Sequence, residues 1–325
     1  MGNKINNIQV LRFFAALSVM MVHLPLFGFG AWGVDFFFVI SGFIMMYITD
    51  VSSKFFLLKR LARIIPLYWI LTILVFCLAL TKPELLNNTT PNFEHLLKSL
   101  FFIPFDKNNI GHFPVLFLGW SLNYEILFYI IFSFSLVVSR RYRAYVCSVI
   151  LVLIFLTSSF FSGEDFIFQV YSESIILEFI IGMFIYKFYV LQKNSNSQYF
   201  IYYNFLFIIL LILVSIAVIN FDLPRFFSYG TMGALVLFFF LFFIDDNFFP
   251  KIFILLGDAS FAIYLVHPYI IQFFYKILKI DDSNIISNLL VSALSVALTL
   301  LVSILIYKYL EKPINIKIKK LFKTS

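Results

Sequence analysis

Residues 8–28 read IQVLRFFAALSVMMVHLPLFG, a stretch that decides the fold class because it is apolar over the length of a bilayer. A transmembrane helix needs about 20 predominantly apolar residues. Two ionisable side chains, Arg12 and His23, nevertheless lie inside this stretch. Their spacing is close to three turns at about 3.6 residues per turn, so an unbroken helix would carry both on one face. An arginine inside a membrane helix costs about 2.5–3.5 kcal/mol on insertion scales, so the pair is a candidate functional site.

The rest of the chain has the composition of a membrane protein. Of its 325 residues, 62% are hydrophobic and only 13% are charged, whereas soluble domains have about 25% charged residues. The sequence therefore predicts an all-α, polytopic bundle of about ten transmembrane helices, with residues 1–325 forming a single integral-membrane domain. The ten predicted spans are residues 8–28, 33–50, 64–81, 115–138, 144–161, 166–188, 199–219, 226–244, 252–276 and 285–308.

Lysine and arginine residues predict the orientation of these spans. With the N-terminus placed in the cytoplasm, 17 of the 24 basic residues fall in cytoplasmic segments and six in external ones. This bias predicts that both termini are cytoplasmic. We expect the protein to lie in the cell (inner or plasma) membrane. The bias also accounts for the net charge of +7, so we expect no nucleic-acid partner. The external loop 82–114 contains FEHLLKSLFF, which suits a short interfacial helix.

Several polar residues would form a track across the membrane in this topology. Arg60 and Arg63 lie at the cytoplasmic start of the third span, and Glu125 lies near the middle of the fourth. His23 lies in the outer part of the first span, where Asp35 of the second span should be its neighbour. A cationic inner end suits a polyanionic cofactor. An imidazole beside a carboxylate suits abstraction of a proton from a hydroxyl group.

The ninth span adds a second polar set. Ser260, Tyr264 and His267 are spaced i, i+4 and i+7, which puts them on one helix face. Glu173 and Glu178 also lie inside a predicted span. Their pattern does not distinguish contact with a substrate from pairing within the bundle.

Structural roles stay open for several of these residues. His23 and His267 could each be packing residues that satisfy a hydrogen bond. Asp35 could cap the second helix. Arg60 and Arg63 could be positive-inside anchors with no ligand.

Six motifs occur in order over nearly the whole chain, and together they resemble the acyltransferase-3 family of integral membrane acyltransferases. Members of that family O-acetylate surface polysaccharides and related glycans. The motifs are Arg12 and His23 spaced as R-x10-H, GVDFFFVISGF at 33–43, KRLARIIPLYW at 59–69, WSLNYEILFY at 120–129, LGDASFAIYLVHPYI at 256–270 and YLEKPI at 309–314.

The resemblance implies a reaction and its participants. The acyl donor would be acetyl-CoA, used as a substrate with no tightly bound cofactor. The acceptor would be a hydroxyl group of a carbohydrate: a surface polysaccharide, a lipopolysaccharide or a lipid-linked sugar in contact with membrane lipid. His23 would act as general base, and the acyl group would pass directly to the sugar or pause on the imidazole.

The resemblance and the polar track also assign the other site residues. Asp35 or Glu125 would orient His23 and balance its charge. The donor would contact Arg12, Arg60, Arg63 and Tyr68, and the acceptor would contact Ser41, Ser121, Ser260, Tyr264 and His267. His95 and His112 do not have the spacing of metal ligands, so we expect no metal site.

Two other classes of protein remain possible on the residues alone. A transporter or exporter could use the same polar track without making a bond, because proton relays also use intramembrane Asp, Glu and His. Transporters often have paired repeats and broken helices, which this sequence does not show. A purely structural assembly subunit would not need such costly buried charges.

Overall fold

The computed structural model describes residues 4–86, 89, 91–106, 113–194, 209, 213, 216, 223–278 and 285–321. All regular structure in these residues is helical, which confirms the predicted all-α class. A helix satisfies every backbone polar group internally, as the interior of a bilayer requires. The α-helices are α1 Asn6–Val22, α2 Gly33–Val51, α3 Phe56–Thr81, α4 Phe93–Leu100, α5 Trp120–Val138, α6 Arg143–Phe160, α7 Phe166–Tyr171, α8 Glu178–Asn194, α9 Thr231–Phe242, α10 Lys251–Asp258, α11 Ser260–Leu278, α12 Ile285–Ile306 and α13 Lys312–Leu321.

Within the described residues, six helical segments are long and apolar enough to cross a membrane. A seventh span results if α10 and α11 are taken together, although the chain bends by 72° between them. The chain is therefore a multi-pass membrane protein, while the count of ten and the sides of the termini stay predictions. The predicted span 199–219 lies outside the described residues except for positions 209, 213 and 216.

Three of the later predicted spans differ in detail from the structure. The span predicted at 166–188 is interrupted, because α7 ends at Tyr171 and a 3₁₀ turn at Ser174–Leu177 precedes α8. The span predicted at 252–276 is the bent pair α10 and α11. The third helix starts at Phe56 rather than at residue 64, so Arg60 and Arg63 lie inside its first two turns.

The first helix is shorter than predicted. It ends at Val22, so His23 lies in the turn that follows and not within the helix. Pro25 lacks a backbone N–H and disfavours helical geometry in the residue before it. Gly30 then has φ +116°, and a Cβ there would meet the backbone oxygen of Ser18 at 2.1 Å. The prediction that Arg12 and His23 share one continuous helix is therefore wrong.

The chain forms two compact units. Unit 1 consists of Met1–Ala15, Trp32–Lys54 and Ile130–Ile254. Unit 2 consists of Ala16–Ala31, Phe55–Tyr129 and Leu255–Ser325. The boundary falls within α1, so Arg12 belongs to unit 1 and His23 to unit 2.

Unit 1 is organised by close packing of α2 against α8. A Cβ on Gly42 would lie 2.1 Å from the backbone oxygen of Phe179, and a Cβ on Gly182 would lie 1.9 Å from that of Val39. Two glycines on facing helices thus let the backbones touch. Small residues are the usual means of close helix packing in membranes, where apolar side chains gain little from leaving lipid.

We expect Gly182→Ala to destabilise unit 1, because the added methyl group has no room beside Val39. The cost should be about 1–3 kcal/mol, as for other overpacked sites. It should appear as a lower midpoint of thermal denaturation in detergent. Gly163→Ala is the matched control, since no atom lies within 4 Å of a Cβ there. Equal midpoints for the two variants would contradict this account of the helix contact.

The loop between α3 and α5 in unit 2 contains the predicted short helix. It is α4, and the side chain of Asn92 caps its N-terminus by accepting from the backbone N–H groups of Glu94 and His95. Trp69 donates its indole N–H to the carbonyl of Leu100 at 2.9 Å, which ties the end of α4 to α3. An interfacial position for α4 stays a prediction.

Candidate functional site

Two histidines from distant parts of the chain meet in unit 2. Nε2 of His267 lies 3.2 Å from Nδ1 of His23, and their ring centroids are 5.0 Å apart. His267 is on α11 and fully buried, while His23 is partly exposed in the turn after α1. Each Nδ1 also faces a backbone carbonyl one turn earlier. His23 Nδ1 lies 3.0 Å from the oxygen of Val19, and His267 Nδ1 lies 2.9 Å from that of Ile263.

Apolar packing holds His23 in this position. Met20 and Leu24, on either side of it in sequence, pack against Ile271 of α11 in one buried cluster. The ring of Phe117 lies 5.6 Å from the His23 ring. Close packing of these side chains therefore fixes the turn beside α11, although no helix continues through His23.

The predicted polar face of α11 points into a buried network. Tyr264 donates its hydroxyl to the carbonyl of Leu118 at 3.1 Å, and its oxygen lies 2.7 Å from Oγ of Ser121. The Tyr264 ring is 6.4 Å from that of His267. Ser260 is also fully buried, and its hydroxyl has no hydrogen-bond partner among the described residues. The structure thus brings Ser121, Tyr264 and His267 together, and their contact with an acceptor stays a prediction.

The predicted donor residues Arg60 and Arg63 share a charged cluster with Glu125 in unit 2. Tyr129 donates its hydroxyl to the Glu125 carboxylate one turn earlier on α5. Arg60 lies within electrostatic range of Glu125, Tyr129 and Arg63. One Arg60 nitrogen, Nε, is buried without a hydrogen-bond partner among the described residues. Glu125 therefore offsets part of the positive charge at the start of α3.

Tyr68 has a clear packing role. It is fully buried, its hydroxyl donates to the carbonyl of Ser99 at 3.1 Å, and its ring stacks on Phe102. A Cβ on Gly119 would lie 2.7 Å from the Tyr68 ring and hydroxyl, so a larger residue at 119 would displace it. These contacts explain why the motif has tyrosine here, and contact with the donor stays a prediction.

The remaining predicted site residues, Arg12, Ser41 and Asp35, belong to unit 1. Arg12 is 8% exposed and donates to the Gln9 side chain at 3.3 Å, and Ser41 is buried in the middle of α2. Asp35 is fully buried and forms a two-point ion pair with Arg225, with both N···O distances at 2.7 Å. The Asp35 side chain does not cap α2, because the capping residue Trp32 precedes it and makes no side-chain bond.

Glu178 completes the Asp35 site. It is fully buried and lies close enough to act electrostatically on Asp35 and Arg225. Gly230 packs against its side chain, where a Cβ would be 3.0 Å from Cγ. Neither carboxyl oxygen of Glu178 has a hydrogen-bond partner among the described residues. The single guanidinium group of Arg225 balances the charge of the Asp35 carboxylate. Charge balance therefore favours a proton on the carboxyl group of Glu178.

Sequence reasoning missed two residues of these clusters. Arg225 is one of the six basic residues that the predicted topology places in external segments, and its separation from Asp35 by 190 positions lies far beyond the range of helical periodicity. Tyr129 was not singled out, although its i+4 spacing from Glu125 could have indicated the contact. Glu178, whose role the pattern leaves open, lies buried beside the Asp35–Arg225 ion pair of unit 1.

The expected partner of His23 is also different. A carboxylate from Asp35 or Glu125 should have oriented the imidazole, but the described hydrogen-bonding partners of the His23 ring are Val19 and His267. Asp35 is engaged by Arg225, and Glu125 accepts from Tyr129. A second imidazole thus occupies the place that the sequence assigned to a carboxylate. No group of three or more potential metal ligands occurs among the described residues.

Comparisons with known proteins agree with the motifs. A family model described as an acyltransferase domain, of the acyltransferase-3 type, matches residues 5–308. The chain is 40% identical over 168 residues to the exopolysaccharide production protein ExoZ of Rhizobium meliloti (strain 1021). The matched segment covers 50% of this chain and 52% of ExoZ, so the chain spans about half the length of that relative. No solved structure matches.

Proposed function

Because the chain belongs to the acyltransferase-3 family of membrane acyltransferases, we propose that it transfers an acetyl group from acetyl-CoA to a hydroxyl group of a cell-surface glycan or its lipid-linked precursor. The donor is on the cytoplasmic side of the inner or plasma membrane, and both termini are cytoplasmic. The observation that carries the proposal is the imidazole pair of His23 and His267, which leaves a basic nitrogen of His23 for the acceptor.

The chemistry needs one base. Nε2 of His23 removes the proton from the acceptor hydroxyl, and the oxygen attacks the carbonyl carbon of the thioester. The C–S bond then breaks, and the imidazolium returns the proton to the CoA thiolate. General base catalysis of this kind is worth about 10²–10⁴ in rate. An acetyl-imidazole intermediate on the same nitrogen satisfies the same geometry.

The donor site is proposed at the start of α3. Arg60 and Arg63 bring two positive charges into the first turns of a membrane-length helix, and arginine suits phosphate because its planar fork donates two hydrogen bonds at once. Nε of Arg60, which is buried and has no hydrogen-bond partner in the described part of the chain, supports a ligand there. Arg12 and Tyr68 are kept as donor contacts from the motif resemblance.

The acceptor is proposed from chemistry and similarity together. The hydroxyl groups of Ser121 and Tyr264 lie 2.7 Å apart, and the Tyr264 ring is 6.4 Å from that of His267. Such hydroxyl groups can exchange hydrogen bonds with sugar hydroxyls. Ser41 and Ser260 are kept as acceptor contacts from the motifs. The relative ExoZ is described as a protein of exopolysaccharide production. We therefore propose a polysaccharide or its precursor as acceptor.

The transporter alternative makes a different prediction. An exporter would move the glycan or a precursor without altering it, so its loss would lower the amount of surface glycan. Loss of an acetyltransferase would leave glycan on the surface but without the acetyl ester.

The test compares the surface glycan of a strain that lacks this chain with that of the same strain complemented by it. We expect O-acetyl signals in the proton NMR spectrum to disappear on deletion and to return on complementation, at unchanged glycan yield. Membranes of the complemented strain should then transfer labelled acetyl from acetyl-CoA to the deacetylated glycan. Unchanged acetylation after deletion, or loss of glycan in place of acetyl groups, would overturn the proposal.

A further inference from the structure

We propose that His267 is a positioning residue, which holds His23 in the tautomer with its proton on Nδ1 and so keeps the lone pair on Nε2. This inference rests on the proposed function for its chemistry, but the tautomer itself is a property of the folded protein. It gives His267 a different task from the acceptor contact that the sequence suggests.

The state of His267 follows from its surroundings. Its Nδ1 lies 2.9 Å from the carbonyl oxygen of Ile263, and a carbonyl can only accept, so Nδ1 carries a proton. His267 is fully buried, and a charged imidazolium without a counter-ion is costly in such a place. In the neutral ring the other nitrogen, Nε2, is then an acceptor. Its lone pair is directed at His23.

The state of His23 follows from that of His267. Nδ1 of His23 faces two acceptors, the carbonyl of Val19 at 3.0 Å and Nε2 of His267 at 3.2 Å. A proton on Nδ1 of His23 can be donated to these two acceptors. A lone pair on Nδ1 would instead face the lone pairs of the Val19 oxygen and of His267 Nε2, which is unfavourable. Only one placement of the two ring protons satisfies both carbonyls, with a proton on Nδ1 of each histidine. Nε2 of His23 is therefore the unprotonated nitrogen.

The two acceptors at Nδ1 of His23 fix its tautomer and also stabilise its protonated form. When Nε2 takes the proton of the acceptor hydroxyl, the ring becomes a cation and its Nδ1–H becomes a stronger donor. The neutral His267 then stabilises that cation without adding a charge to a buried site. The arrangement is comparable to the orienting acid of a catalytic triad, with a neutral imidazole in place of the carboxylate.

The decisive experiment compares three substitutions of His267: glutamine, asparagine and leucine. Glutamine can place its side-chain oxygen near the position of Nε2, asparagine reaches only the position of Nδ1, and leucine has no acceptor. Each variant is assayed in membranes for transfer of labelled acetyl from acetyl-CoA to glycan from a strain that lacks the protein. Phe273→Leu, on the outward face of the same helix where Phe273 is 56% exposed, is the control.

We expect His267→Leu and His267→Asn to lower kcat about ten- to a hundredfold, as for the loss of a hydrogen bond to a charged group. KM for acetyl-CoA and for the glycan should change less than twofold, and His267→Gln should recover most of kcat. A rise in KM for the glycan at unchanged kcat would show that His267 binds the acceptor and would overturn the proposal. Full activity of His267→Leu would overturn it as well.

A second measurement needs no substitution at either site residue. The chain has only four histidines, so nitrogen-15 labelling of histidine gives few imidazole signals, and His95→Gln and His112→Gln identify two of them. We expect the Nδ1–H tautomer for both His23 and His267 in the wild-type protein. An Nε2–H tautomer for His23 would overturn the proposal even if the protein transfers acetyl groups. Conversely, if the protein proves not to transfer acetyl groups, the expected imidazole spectrum stays the same. The failure of the proposed function and the failure of the tautomer proposal are therefore distinguishable.

Discussion

Replacing His23 with alanine should abolish acetyl transfer while leaving the protein in the membrane. His23 is the general base of the proposed reaction, and such a group contributes about 10²–10⁴ in rate. Its ring is only partly buried, and the turn that carries it is held by Met20 and Leu24 rather than by the imidazole. The measurement is the initial rate of label transfer from acetyl-CoA to deacetylated glycan, at equal amounts of protein in the membrane.

The control for this prediction is another histidine of unit 2. His95 lies on α4, where its ring bonds the carbonyl of Phe113, and glutamine can keep a hydrogen bond there. His95→Gln should therefore retain activity. More than a tenth of the wild-type rate in His23→Ala would rule out His23 as the base, and the role of His267 would need a new explanation.

Replacing Arg225 with methionine should strongly destabilise unit 1. Asp35 is fully buried, and its carboxylate is held at two points by Arg225, beside the buried carboxyl group of Glu178. Removing one partner of a buried ion pair costs about 3–5 kcal/mol, because the other charge is left without compensation. Arg225 itself is 31% exposed at its side chain, so the lower end of that range is expected. The midpoint of thermal denaturation in detergent should fall by several degrees.

Three variants make this prediction specific. The double variant Asp35→Asn with Arg225→Met should be more stable than Arg225→Met alone, because no unpaired carboxylate remains. Glu178→Gln should change the midpoint little, since charge balance already favours a proton on that carboxyl group. Lys98→Met removes an exposed pair with Glu94 and should have almost no effect. An equal fall in the denaturation midpoint of Arg225→Met and Lys98→Met would contradict a structural role for the buried ion pair of Asp35 and Arg225.

The helical class could be predicted from sequence, and candidate site residues could be selected, for reasons that are local. A run of apolar residues as long as the bilayer has few alternatives to a helix, and the R-x10-H, GVDFFFVISGF and WSLNYE motifs are contiguous in the chain. The i+4 relation of Ser260 and Tyr264 is likewise a property of one helix. The short helix in the loop after α3 was visible as an amphipathic pattern.

The errors arose where a helix ends or where two helices meet. The apolar run continues through His23 as far as Phe27, and only Pro25 and the glycines after it explain why α1 stops at Val22. The mean hydropathy of a membrane-length stretch does not reveal such residues, because it averages over them.

By itself the sequence indicated a multi-pass helical membrane protein of the acyltransferase-3 family, with His23 as a candidate base. Only the tertiary structure decided that His267, 244 positions away, is the partner of His23 and that Arg225 is the partner of Asp35. The physical reason is the distance along the chain over which each kind of information acts. Periodicity reports which side chains share a face of one helix, whereas the partner across a helix contact depends on packing that brings distant segments within hydrogen-bonding distance.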